Sequence, residues 1–184
     1  GKTCDGPTET FTITVNPAGQ VNDPSDQVVC NGLPVTAITF TTNNTGGTTT
    51  YPWTNDQPGI GLAAIGSGNI ASFNAVNAGT APVVATVTVT PHFDNGAPIC
   101  DGTPQTFTIT VNPTGQVDDP ADQTVCNGLP TTTVIFSTTN TVGTTTYTWT
   151  NDQPSIGLGA SGSGNIASFN AVTAGTSPVT ATIT

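Results

Sequence analysis

The sequence predicts an all-β protein, and three observations predict it. Polar and apolar residues alternate with a period of two, turn-forming residues interrupt the alternation every ten residues or so, and the whole pattern recurs after 96 positions. Alternation of period two places successive side chains on opposite faces of a pleated strand and leaves a helix without an apolar stripe. Core material is sufficient: 34% of the 184 residues are hydrophobic and 21 more are Gly, an ordinary share for a folded domain. Only 7% are charged, against about 25% in a typical globular chain. Polarity comes instead from 40 Thr and 16 Asn. Threonine suits this use, because its β-branched side chain fits a pleated surface while its hydroxyl stays solvated.

Taken in order, the first strand is 10–15, where Phe11, Ile13 and Val15 share one face and threonines the other. The same string returns with Phe107, Ile109 and Val111. Between the two copies, 27–30, 35–41, 48–54 and 70–76 are further strands, and 83–89 is another with one buried face. Asn31-Gly32-Leu33-Pro34 and Gly66-Ser67-Gly68-Asn69 supply turns. Six or seven short strands per repeat, punctuated in this way, predict a two-sheet sandwich of immunoglobulin type. Trp53 and Trp149 fall mid-strand and are expected to anchor the core rather than to serve as sugar platforms.

The period fixes the organisation. Cys4 falls on Cys100, Cys30 on Cys126, Trp53 on Trp149 and Phe73 on Phe169, without a gap. Residues 4–88 and 100–184 are identical at 63 of 85 positions. So long a period is a whole domain, and the chain is a tandem, linear array. With the break set at the Asn-Pro after each Thr-Ile-Thr-Val, 17–112 is a complete repeat and 113–184 is a second repeat lacking its last strand. Residues 1–16 are then the last strand of a preceding repeat, or a donated strand. The expectation divides accordingly: a window on a longer covalent array, or insertion of 1–16 of one copy into 113–184 of another by strand addition.

Charge excludes one class of partner. Eleven acidic residues face the single cation Lys2, for a net charge of −10, and a nucleic-acid binder needs clustered Lys and Arg. No apolar run reaches the length of a membrane span. Four Cys without a C-x-x-C, and His92 as the only imidazole, do not make an ordinary zinc site. The cysteines point to disulfides and an extracellular setting. Cys30 with Cys100 is the first choice, leaving Cys4 and Cys126 to partners outside this segment or in a neighbouring copy. The competing pattern joins Cys4 to Cys30 and Cys100 to Cys126.

Asp23, Asp26, Asp118, Asp119 and Asp122 recur near the repeat junction and are the candidates for a calcium site. No EF-hand pattern accompanies them, and the plainer expectation is that they form turns and keep the surface soluble. Asp56 and Asp152 are read as turn formers as well. Nothing in the pattern calls for a catalytic triad or a phosphate-binding loop, so no enzyme and no cofactor are expected.

Four strings carry a family resemblance: Asp-Gln-Val-Val-Cys-Asn-Gly (26–32), Thr-Tyr-Pro-Trp-Thr-Asn (50–55), Ile-Gly-Leu-Ala-Ala-Ile-Gly-Ser-Gly-Asn-Ile-Ala-Ser-Phe (60–73) and Cys-Asp-Gly-Thr-Pro-Gln-Thr-Phe-Thr-Ile-Thr-Val-Asn-Pro (100–113). In this order they resemble the PKD-like repeats of very large surface proteins and adhesins of Bacteroidetes. The Trp-Asp-Phe-Gly-Asp-Gly type signature of ordinary PKD domains is absent. The resemblance implies an immunoglobulin-like sandwich, secretion, and service as one of many stalk or filament repeats; it supplies no ligand-binding residue. The functional expectation is a structural segment of a secreted cell-surface stalk or extracellular filament, with copies of itself or adjacent repeats as partners. The alternative is an adhesive module that recognises carbohydrate or another surface through Thr-rich faces or loop tips. The 22 differences between repeats are mostly exchanges among Thr, Ala, Ser, Val and Asn scattered along the chain, which favours the scaffold.

Overall fold

Alternating sequence becomes sheet only where a strand finds partners, and that condition separates the two halves of this chain. The computed structural model describes residues 1–96 and 98–184. It is all-β apart from two single-turn 3-10 segments. Contacts divide the chain into two units, Gly1–Val76 with Val83–Val111 and Asn77–Pro82 with Asn112–Thr184. No helix among the described residues is long and apolar enough to cross a membrane.

The first unit holds ten strands: β1 (Gln27–Cys30), β2 (Pro34–Val35), β3 (Thr48–Thr50), β4 (Pro52–Asn55), β5 (Ile65–Ser67), β6 (Phe73–Asn74), β7 (Val83–Val89), β8 (His92–Asp94), β9 (Cys100–Asp101) and β10 (Gln105–Asn112). They form a five-stranded sheet in the order β1-β10-β7-β4-β5, a three-stranded sheet β3-β8-β9 and a β2-β6 pair. The antiparallel pair β7 and β10 is central, with Phe107 opposite Val87, Ile109 opposite Ala85 and Val111 opposite Val83. Every second residue of both strands is buried, so the period of two in the sequence is the inside-outside pattern of the sheet. The core gathers Phe107, Ile109, Val111, Val87, Val35, Ile60, Ile70, Phe40 and Trp53. Phe40 meets Tyr51 and Phe107 with ring centroids 5.6 and 6.3 Å apart.

Several expected strands are shorter than the alternation suggested, and side chains account for it. The stretches 35–41 and 70–76 reduce to β2, β6 and an isolated Ile38–Ile70 bridge. Between these points, the Phe40 N–H donates to Asn69 Oδ1 at 2.9 Å and the Ser72 hydroxyl to the Val35 carbonyl at 2.7 Å. Polar side chains there take the place of ladder bonds. The stretch 48–54 divides at Tyr51-Pro52, where the chain leaves the three-stranded sheet and enters the five-stranded one. Proline has no N–H for a ladder and marks the first residue of β4. In the turn Pro58–Ile60 that follows, Gly61 takes φ of 98° and donates its N–H to the Pro58 carbonyl, a left-handed conformation natural only to glycine.

Two strands in the second unit, β11 (Thr148–Thr150) and β12 (Ser161–Ser163), repeat the β4–β5 pairing. Isolated bridges join Pro130 to Asn170, Val134 to Ile166 and Asn151 to Ile183. Residues 123–126 and 179–184, the counterparts of β1 and β7, form no strand beyond the Ile183 bridge. Both of their counterparts lean on β10 in the first unit, and a strand without its neighbour does not register as sheet. Residues 10–15 likewise lie outside any strand, although their sequence is that of β10.

Candidate functional site

Of the residues singled out by sequence, the tryptophans are the most firmly placed. Trp53 is 8% exposed within the core cluster, and its Nε1–H donates to the Gly68 carbonyl at 3.1 Å. Trp149 makes the same bond to Gly164 at 3.2 Å and is half-buried. A ring lies flat over the backbone in both places: a Cβ built on Gly66 would sit 2.1 Å from Trp53 Cζ2, and one on Gly162 2.3 Å from Trp149 Cζ2. That contact explains why the glycine string around 66, read from sequence as a turn, includes the strand β5.

The carboxylates fasten backbone. Asp26 Oδ1 accepts the Thr108 N–H at 2.6 Å, which clamps the edge of β10. Asp56 accepts the Thr86 N–H and Asp152 the Thr182 N–H, each at 2.7 Å. Asp118 accepts from the Ser137 hydroxyl at 2.7 Å. Asp23 lines a surface hollow with Gln27 and Thr36, while Asp119 and Asp122 are exposed. The five calcium candidates do not converge: among the described residues, no three His, Cys, Asp or Glu side chains gather where a metal ion could be held. His92 Nδ1 meets Asp101 Oδ1 across β8 and β9.

Cys4, Cys30, Cys100 and Cys126 are all free thiols, so the Cys30–Cys100 bridge expected from sequence is not formed. The two residues belong to different sheets: Cys30 closes β1 in the five-stranded sheet, and Cys100 opens β9 in the three-stranded one.

The least satisfied features are a strand sequence without a sheet and a sheet edge without a strand. Phe11, Ile13 and Val15 are 86%, 78% and 86% exposed, whereas the identical Phe107, Ile109 and Val111 are 2%, 0% and 0% exposed. The projecting segment ends at a fixed point. Asn16 Oδ1 accepts from Asn95 Nδ2, the Ala18 carbonyl from Asn44 Nδ2, and the Gly19 N–H donates to the Cys100 carbonyl. In the second unit, residues 182 and 184 bond to Asp152 and Thr150 on one side. Ile183 is 37% exposed, where its counterpart Val87 is fully buried between β10 and β4. Asp122 repeats Asp26 in sequence and is exposed.

The buried Asn55 and Asn151 were not singled out by sequence. Asn55 Nδ2 donates to the Leu62 carbonyl and its Oδ1 accepts the Gln57 N–H, both at 3.0 Å; Asn151 makes the same pair of bonds to Leu158 and Gln153. The signal was their place in the repeated Trp-Thr-Asn-Asp-Gln-Pro, where an amide can close a loop on its own backbone. Set beside protein-family models, curated proteins and solved structures, the chain finds no match.

Proposed function

We propose that this chain is a structural segment of a secreted cell-surface stalk or extracellular filament. In this reading, immunoglobulin-like β-sandwich repeats of the PKD-like type follow one another head to tail along the chain. The observation that carries it is repetition of the polar framework, beyond the apolar pattern. Gln27 grips the backbone of Thr36 through both amide atoms, and Gln123 does the same to Thr132. Asn69 to Phe40 recurs as Asn165 to Phe136, Ser72 to Val35 as Ser168 to Thr131, and Asn44 to Ala18 as Asn140 to Thr114. Substitutions between repeats leave these bonds in place, whether they fall at the surface, as Ala18 to Thr114, or in the core, as Val35 to Thr131. A preserved frame with exchanges scattered over it is what a scaffold requires, whereas a binding site would hold one surface constant.

Chemistry supports the setting. A chain with a single Lys and no Arg gives trypsin-like proteases one place to cut, which favours durability outside a cell. Immunogold electron microscopy with antibody raised against this chain tests the reading on the cells that make it. Gold along the length of surface fibres is expected; gold confined to the cell interior or to fibre tips contradicts it.

A further inference from the structure

We infer that Asn95 is a self-modifying residue, which cyclises onto the Gly96 nitrogen and ends as aspartate or isoaspartate. Three Asn-Gly pairs occur in the chain, at 31–32, 95–96 and 127–128. In such a pair the glycine lacks the Cβ that would hinder its nitrogen from reaching the side-chain amide of the preceding asparagine. All three glycines take a positive φ, of 81°, 97° and 83°, so backbone conformation does not distinguish them. What distinguishes them is the partner of the glycine N–H. Gly32 donates to the Ala75 carbonyl at 2.8 Å and Gly128 to the Ala171 carbonyl at 2.7 Å. Both turns are closed by a further bond of 3.1 Å, from Leu33 to Cys30 and from Leu129 to Cys126. The side chain of Asn127 is also engaged, since its Oδ1 accepts the Thr173 N–H at 2.9 Å. A nitrogen held in this way must give up a backbone bond before it can attack.

Gly96 is held by a base instead. Its N–H donates to Asp94 Oδ1 at 2.8 Å, and Asp94, Asn95 and Gly96 are all exposed just past β8. A carboxylate accepts a proton far more readily than an amide carbonyl does, so Asp94 is placed to take the Gly96 proton as the nitrogen attacks Asn95 Cγ. The N–Cγ bond forms, the Cγ–Nδ2 bond breaks, and the proton departs with the amine as ammonia. Water then opens the cyclic imide. Attack at the side-chain carbonyl leaves aspartate, and attack at the main-chain carbonyl leaves isoaspartate. One water is consumed, one ammonia is released, and nothing is oxidised or reduced. Both products lose the Nδ2 that now donates to Asn16 Oδ1 at 3.1 Å. Isoaspartate also lengthens the main chain by a methylene directly after β8.

Prolonged incubation of the folded full chain at neutral pH, followed by peptide mapping in the mass spectrometer, tests the inference. The exchange of NH2 for OH is expected at Asn95 about tenfold ahead of Asn31 and Asn127, the order of effect of one retained backbone hydrogen bond. In urea, where no turn is held, the three sites should react at similar rates. The Asp94→Ala chain, with its fold checked by circular dichroism, should lose most of the lead at Asn95. Equal rates at the three sites of the folded chain overturn the inference, as does a lead at Asn95 that persists undiminished in urea. Unchanged reaction at Asn95 in the Asp94→Ala chain overturns it as well, because Asp94 is then not the base.

Discussion

At the scale of single residues, this fold depends on a few polar groups that hold backbone in place of ladder bonds. Asn55 is the clearest, since it is buried and bonds in both directions. Asn55→Ala strands a carbonyl and an N–H and is expected to cost about 1–3 kcal/mol, read as a lower urea midpoint with little change in slope. Gly66 acts through space. Gly66→Ala drives a methyl into the Trp53 ring, and overpacking of this kind costs about 1–3 kcal/mol, visible in the same titration. Tyr51 gives the first unit an alkaline limit. Burial pushes its phenol above the ordinary 10.0, with the Thr42 hydrogen bond opposing. The folded phenol keeps its proton after the unfolded one has lost it, so this contribution is whole below pH 10 and declines as the pH rises beyond it. Thermal melts from neutral to strongly alkaline pH should show that decline, and Tyr51→Phe should remove it.

The element scale brings out how one sequence leads two lives. Residues 10–15 and 106–111 are identical, so propensity cannot distinguish them, and only the presence of partner strands does. Ile109→Asp places an unpaired charge between two sheet neighbours and should unfold the first unit, at a cost upward of about 4 kcal/mol. Ile13→Asp, the same change in the same string, should move stability by less than about 0.5 kcal/mol; chemical denaturation of the two variants makes the comparison. The alternation also shows how much could be read in advance. It located β1, β7 and β10, whose burial follows a period of two. It overextended 35–41 and 70–76, because side-chain bonds from Asn69 and Ser72 interrupt the ladder and leave no mark on apolar periodicity. It passed over β5, where glycine is needed beneath a tryptophan ring, and β8 and β9, which are two or three residues long and too short to show a period. The carboxylates were legible as recurring residues but not as clamps on strand amides, since that role depends on a strand distant in sequence. Asp26 reaches Thr108 across 82 positions.

For the molecule as a whole, the two units share a frame and differ in completeness of their sheets. In the first, β10 lies buried between β1 and β7 in the five-stranded sheet; the second keeps the β4–β5 pairing and the polar clamps.

Residue-resolved hydrogen exchange tests the shared frame of the two units most directly. The Thr86 N–H, which bonds to Asp56, and the Thr182 and Thr184 N–H groups, which bond to Asp152 and Thr150, are expected to be protected alike. Protection at Thr86 with fast exchange at both Thr182 and Thr184 would contradict it.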